Sequence, residues 1–204
     1  MIARSETCDV NGLLVANRGE IAIRPIVAAD SVTVAEMHTT SWRSAYRGML
    51  RDEYLDGDIA TERRQAWASR LGTLVDANYG FVAEAETGPV GFVYMLGGDD
   101  ATWGTLVDNL HVLPGFKGRG IGRRLLEAAA LETARRYPGQ RIHLYVFEAN
   151  VAARRFYASV GGREVERAAV EPPGGGSQMQ WRVVWDDAER LLASVRSAPK
   201  SSQA

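Results

Sequence analysis

The chain has 204 residues, enough for one domain of ordinary size. Apolar residues make up 46% and charged residues 24%, a globular mix from which a core of useful size can be built. The formal net charge of −1 argues against a general nucleic-acid binder, which would carry a basic excess, so any cationic site must be local.

Cys8 is the single cysteine, so no internal disulfide can form. His38, His111 and His143 are scattered, and no Cys/His cluster has metal-ligand spacing, so no metal is expected. Arg4, Glu6 and Asp9 interrupt the first ten residues, which therefore lack the apolar core of a signal peptide. No apolar run approaches the roughly 18 residues that cross a bilayer. The expectation is a protein of the reducing cytoplasm with no membrane or nucleic-acid partner.

Residues 1–20 read as a leader that need not pack. Residues 21–25 alternate apolar and polar and predict a first strand. Asp30 then offers an N-cap to a helix carrying Val34, Met37, His38 and Ser41 at helical spacing. A second helical segment covers 51–71, broken near Asp56-Gly57-Asp58. Residues 81–85 and 90–95 are strands joined by Glu86-Thr87-Gly88-Pro89, a hairpin connection. Residues 105–113 make a fourth strand, closed by Pro114-Gly115. Residues 120–137 give the clearest helix, with Ile121, Leu125, Ala128 and Ala129 on one stripe. A fifth strand covers 142–147. Asn150 can cap a short helix with Ala153, Phe156, Tyr157 and Val160 on its apolar face, stopped by Gly161-Gly162. Two last strands flank the loop 171–176, a helix covers 186–197, and 198–204 reads as a disordered tail. The order is mixed αβ, with one domain over 21–197.

The turn after the fourth strand carries the chemistry. Glycines alternate through Gly118, Gly120 and Gly122, so backbone N–H groups can converge on one concavity with no Cβ in the way. The helix that begins there adds its positive dipole end. Lys117, Arg119, Arg123 and Arg124 supply four cations within eight residues, with no acid among them. This is the composition of a pyrophosphate cradle; the plainer alternative is a helix entrance with solvated arginines. A P-loop fails, because Ile121-Gly122 stands where its lysine and hydroxyl are needed. A dinucleotide fingerprint counted from Gly118 fails at Arg123, where a third glycine is required.

The run Lys117-Gly118-Arg119-Gly120-Ile121-Gly122 resembles the signature of the GNAT superfamily of acetyltransferases: Gln or Arg, two residues, Gly, one residue, then Gly or Ala. Lysine in the first place keeps the charge but loses the planar fork. Leu110 to Pro114 before the turn, Arg123-Arg124-Leu125-Leu126 after it, and Asn150, Ala153, Phe156, Tyr157 and Gly161 beyond extend the match. The resemblance implies a mostly antiparallel twisted sheet of six to seven strands, splayed between strands 4 and 5 and flanked by helices. It implies acetyl-CoA as cosubstrate and an amine as acceptor, and leaves a homodimer open. Leu110, His111 and Val112 would form the coenzyme-facing strand. Lys117, Gly118, Arg119, Gly120, Ile121, Gly122 and Arg123 would hold the diphosphate, and Asn150 the pantetheine, although it also reads as a plain cap.

Tyr157 stands where many relatives place a general acid; the alternative is a core aromatic beside Phe156. Strand alternation puts Leu106, Asp108, Leu110 and Val112 on one side and His111 on the other. Asp108 is therefore the candidate for amine activation, with a salt-bridged aspartate as the alternative, and the His111 side chain reads as structural. Residues 39–55 resemble the first helices of a bacterial subgroup, in which Trp42 and Tyr46 would line the acceptor pocket. Asp52, Glu53, Asp56 and Asp58 form an acidic patch that could attract a cationic amine. Residues 14–24 also resemble the opening strand and turn of biotin carboxylases. That resemblance stops at Pro25, and no chemistry is attached to it. Competing with the enzyme are a noncatalytic acyl-CoA sensor on the same fold, which needs neither Tyr157 nor Asp108, and a nucleotide-dependent oxidoreductase, disfavoured by Arg123.

Overall fold

The computed structural model describes residues 21–73 and 76–197. The expected leader, with Cys8 and most of the biotin-carboxylase-like stretch, and the expected tail lie outside the described residues. Seven strands form one sheet: β1 Ala22–Pro25, β2 Asn78–Ala85, β3 Gly88–Asp100, β4 Gly104–Val112, β5 Ile142–Phe147, β6 Arg163–Val170 and β7 Gln178–Trp185. Their order is β1-β2-β3-β4-β5-β7-β6, antiparallel throughout except for the parallel pair β4–β5. The helices are α1 Ser31–Ala45, α2 Asp52–Asp56, α3 Ile59–Gly72, α4 Ile121–Arg136, α5 Val151–Ser159 and α6 Ala188–Ser197. None of them is long and apolar enough to cross a membrane.

The centre of β3 shows why the sheet is covered on both faces. Phe92, Val93, Tyr94 and Met95 are consecutive and all buried, so neither face of this strand meets water. Val93 and Met95 pack with the α4 stripe of Leu125, Leu126, Ala129 and Ala130. Phe92 and Tyr94 pack on the other side with Val34, Met37 and Trp67 of α1 and α3. Helix α6 presses Leu191 and Val195 into the α4 side, where Trp185 also donates its indole N–H to the Val160 carbonyl at 2.8 Å.

Several boundaries differ from the sequence reading. The β2–β3 hairpin is longer at its open end than 81–95, because Asn78 and Leu96 still pair. The last helix starts at Ala188, two residues late. Asp30 occupies the N-cap position of α1 but caps nothing. Both its oxygens are taken by the Arg24 guanidinium at 2.8 and 2.9 Å, and it also accepts from the Val27 N–H at 2.8 Å. A bidentate charge-assisted pair outcompetes a neutral cap, and it holds this carboxyl below its ordinary range. By contrast, Asp58 does cap α3, accepting from the Thr61 N–H at 3.3 Å just after the break at Gly57.

Leu125 is fully buried at the centre of the α4 stripe and reaches the backbone of Gly91. Leu125→Ala removes that contact and opens a cavity, so chemical denaturation should show a loss of about 2–5 kcal/mol. A loss below about 1 kcal/mol would mean that α4 is not anchored through this position.

Candidate active site

The parallel pairing of β4 and β5 is confined to Thr105 with Ile142 and Leu106 with His143. Beyond it, β4 continues along β3, and β5 continues along β7 to Phe147. The facing edges of Val107 to Val112 and Leu144 to Phe147 are thus not paired with each other. A physical cause lies in β4 itself. Met95 is opposite Val107 and Tyr94 is opposite Asn109, so Asp108 is an extra residue on β4, a bulge. A bulge bends its strand and raises the local twist, which turns β4 away from a neighbour that stays straight.

At the end of β4 the chain makes one 3-10 turn, Pro114–Phe116, and reaches the glycine turn. Gly118 and Gly120 hold φ of 78° and 75°, a left-handed conformation that a side chain disfavours. No heavy atom stands within 4 Å of where a Cβ would sit at either position, so the backbone faces open space there. The first amide returned to the helix near the turn is that of Arg124, which donates to the Gly120 carbonyl at 3.1 Å. The amides of the first α4 turn are the orphan donors of a helix N-terminus. Lys117 and Arg119 form no ion pair with another described residue, and Arg119 lies over the Phe116 ring at 5.1 Å. The donor set and the open space before it fit a diphosphate. Gly122 has a different use: a Cβ there would meet the Phe156 ring at 3.3 Å, so its bareness lets α4 seat against α5.

Helix α5 follows β5. Asn150 accepts from the Ala153 N–H at 3.1 Å, so the cap is the role the structure shows for it. Tyr157 is half-buried between Phe156, at 5.3 Å between ring centroids, and Trp185, at 6.3 Å. Burial, with a smaller contribution from neighbouring Tyr46, pushes its hydroxyl pKa well above the ordinary tyrosine value. No hydrogen bond joins that hydroxyl to another described residue. The proton therefore stays on the oxygen across the neutral range.

Helix α1 spans the gap between the two lips. On the β4 side, Ser41 Oγ lies 2.9 Å from His111 Nδ1, and the His38 ring lies 4.7 Å from the His111 ring. On the β5 side, Tyr46 meets Phe147 edge-on at 5.5 Å, and Trp42 stands 5.4 Å from Tyr46. The Trp67 indole N–H donates to His38 Nδ1 at 2.9 Å. An indole nitrogen only donates, so His38 Nδ1 must accept and its proton sits on Nε2. Burial keeps both imidazoles neutral. It pushes His111 down to about 3, with help from Lys117, and it lowers His38 further, with help from His111, Arg63 and Arg70. The His111 side chain faces α1, as alternation predicts, and serves the wall rather than the coenzyme side.

Asp108 does not share a side with Leu110 and Val112. Those two pack with the α4 core, as does Val107. The bulge shifts the alternation at Asp108, whose Oδ2 lies 2.5 Å from Arg70 Nη1 of α3 and 2.5 Å from Asn109 Nδ2. The acidic patch is also engaged. Asp52 and Asp56 both pair with Arg47, and Asp58 caps α3. Sequence reasoning did not single out Phe147, His38 or Arg70 as part of this region. Their partners lie 101, 73 and 38 positions away, as Tyr46, His111 and Asp108 respectively, and no local pattern signals such pairings. The aromatic that ends β5 was the one available cue. No group of three or more His, Cys, Asp or Glu arranged to hold a metal ion occurs among the described residues.

Comparison with known proteins gives the family and supports the fold. The family model described as the acetyltransferase (GNAT) family matches residues 31–161. An uncharacterized N-acetyltransferase of Archaeoglobus fulgidus is 38% identical over 104 residues, covering 47% of this chain and 63% of its own. A mycothiol acetyltransferase of Thermobispora bispora is 34% identical over 115 residues, covering 51% of this chain and 34% of its own. A probable N-acetyltransferase of Mycobacterium tuberculosis is 32% identical over 139 residues, covering 67% and 76%. The matched segment thus spans less than two thirds of the length of the first two of these relatives. Among solved structures, the PaiA N-acetyltransferase of Thermoplasma acidophilum, in complex with coenzyme A, superposes with a TM-score of 0.62 at 21% identity, covering 79% of this chain and 98% of that one. The fold, the splayed strands and the family match together place this chain in the GNAT family of acetyltransferases.

Proposed function

We propose that the chain transfers an acetyl group from acetyl-CoA to a primary amine of a small molecule, peptide or protein, by direct attack in a ternary complex. The end of β4–β5 pairing after Leu106 and His143 carries this reading, because it leaves two strand edges facing each other above a turn of free N–H donors. The backbone of Leu110 and Val112 would receive the pantetheine as a missing strand, and the turn from Lys117 to Arg123 would hold the diphosphate. The amine nitrogen attacks the thioester carbonyl carbon from the α1 side. As the C–S bond breaks, the departing sulfur takes its proton from the Tyr157 hydroxyl. The amine's proton passes to the phenolate or to water.

Gly120→Val places a β-branched side chain at a positive φ and fills the space before the turn. Coenzyme A affinity measured calorimetrically should fall at least about tenfold and thermal protection by coenzyme A should disappear. Arg119→Ala, which leaves the backbone intact, should weaken binding modestly and reduce its salt dependence. Unchanged binding in both variants would remove the turn from the site.

Tyr157→Phe should lower kcat by roughly 10²-fold with coenzyme affinity nearly intact. The raised hydroxyl pKa also has a pH signature. The donor form persists above the ordinary tyrosine value, so Tyr157 should impose no loss of turnover below about pH 10. Full turnover in Tyr157→Phe would make this residue a packing aromatic.

With its carboxylate held by Arg70 and Asn109, Asp108 is proposed as the tie between α3 and β4 and not as the proton acceptor. Asp108→Asn should leave the pH–rate profile superimposable on that of the unsubstituted protein, at a stability cost of about 1 kcal/mol or less. A selective loss of rate below the acceptor's pKa would restore Asp108 as the base.

A further inference from the structure

Trp42, Tyr46, Tyr54 and Phe147 form a continuous aromatic wall between the two lips of the splay. Their rings lie 5.4 Å apart for Trp42–Tyr46, 6.4 Å for Trp42–Tyr54 and 5.5 Å for Tyr46–Phe147. They rest on a buried base of Leu50, Leu55 and Ile59, and all four are only half-buried, so each keeps accessible ring surface. Such a wall has apolar area to offer and few polar groups that could direct a ligand.

Charge near the wall comes as paired groups. Arg63 lies over the Trp42 ring at 4.8 Å with its side chain only 15% exposed, and Arg70 lies over Trp67 at 5.3 Å. Glu62 pairs with Arg63 at 2.7 Å and Asp108 with Arg70 at 2.5 Å. Glu62 also accepts from the Tyr54 hydroxyl at 2.9 Å. An alkylammonium entering here would lose water and meet the Arg63 guanidinium over Trp42, while the carboxylates of Glu62 and Asp108 are already paired, a costly burial. The Trp42 face that could have taken it by a cation–π contact is occupied by Arg63.

Beside Leu50, a cavity of about 310 Å³ opens between residues 48–52 and residues 175–178. Gln178 bridges its two sides, donating from Nε2 to the Met49 carbonyl at 2.6 Å. Its lining includes Gly48, Gly175 and Gly176, which leave backbone uncovered, and Asp52, whose carboxylate is paired with Arg47, so it suits an extended peptide backbone.

We propose that the acceptor is an α-amine carried on an aromatic residue, as at the N-terminus of a peptide, rather than a polyamine or a lysine side chain. This rests on the acetyl-transfer reading above and adds the substrate class. The aromatic side chain would lie on the Trp42–Tyr46–Phe147 wall, and the following backbone would enter the cavity by Gln178. An α-amine has a pKa of about 7.7–8.0 against about 10.4 for a lysine side chain, so a substantial share is already neutral near pH 7.5 and no carboxylate is needed to strip its proton.

The test compares kcat/KM at pH 7.5 for phenylalaninamide, alaninamide, Nα-acetyl-lysinamide and spermidine, following thiol release from acetyl-CoA. Phenylalaninamide should exceed each of the others by at least about tenfold, the size of a good aromatic contact. Trp42→Ala should shrink the phenylalaninamide-to-alaninamide ratio about tenfold while coenzyme A affinity stays unchanged. Equal or better turnover of spermidine or Nα-acetyl-lysinamide overturns the proposal, and so does equal turnover of alaninamide. No turnover of phenylalaninamide also overturns it. Protection of the fold by coenzyme A then decides whether the acetyl-transfer reading falls with it: with protection intact, only the acceptor class is wrong.

Discussion

Two parallel strands that stop pairing after two residues leave backbone donors and acceptors on both lips, and such groups are tolerated in a folded protein only where water or a ligand can reach them. Nearly every other feature of this molecule follows from keeping that gap open without losing the sheet. The bulge at Asp108 turns β4 away. Strand β7 satisfies the outer edge of β5, so β5 does not need β4. Cores on both faces of β2–β4 hold the near half of the sheet rigid, and α4 with α6 covers one face continuously across the divide.

Helix α1 is the strut of the arrangement. It touches β4 through Ser41 and His38, and Tyr46, the residue that ends it, touches β5, so one helix and its C-cap bridge the gap. The polar pieces of that contact are neutral. His38 and His111 are stripped of charge by burial, and the indole of Trp67 fixes the tautomer of one of them. Charge near the gap comes instead as matched pairs: Arg70 with Asp108 ties α3 to β4, and Arg63 with Glu62 lies on α3 itself.

The sequence made the order of elements legible because its breakers sit at the boundaries: Gly57 between two helices, Pro114 after β4, Asn150 before α5 and Gly161 after it. The glycine turn was legible for the same reason, since alternate glycines followed by a helix leave few physical uses. Facing was readable only while the strand stayed regular. Leu110, Val112 and His111 fall where alternation puts them, but one inserted residue sends Asp108 to the other face, and nothing in Val107-Asp108-Asn109 announces a bulge. The aromatic wall was half visible: Trp42 and Tyr46 are four residues apart on one helix, but Phe147 comes from another strand. Asp52 and Asp56 looked like an open acidic patch because the arginine that neutralises both precedes them in a loop.

The contact between Gly122 and Phe156 joins two parts that perform different tasks. Gly122 closes the glycine turn at the start of α4, and Phe156 is the chain neighbour of Tyr157. With no methyl group between them, α4 and α5 approach closely at this point. Any side chain at 122 would therefore push on the ring that precedes Tyr157, so the spacing between α4 and α5 and the placement of that tyrosine are set by the same missing methyl group.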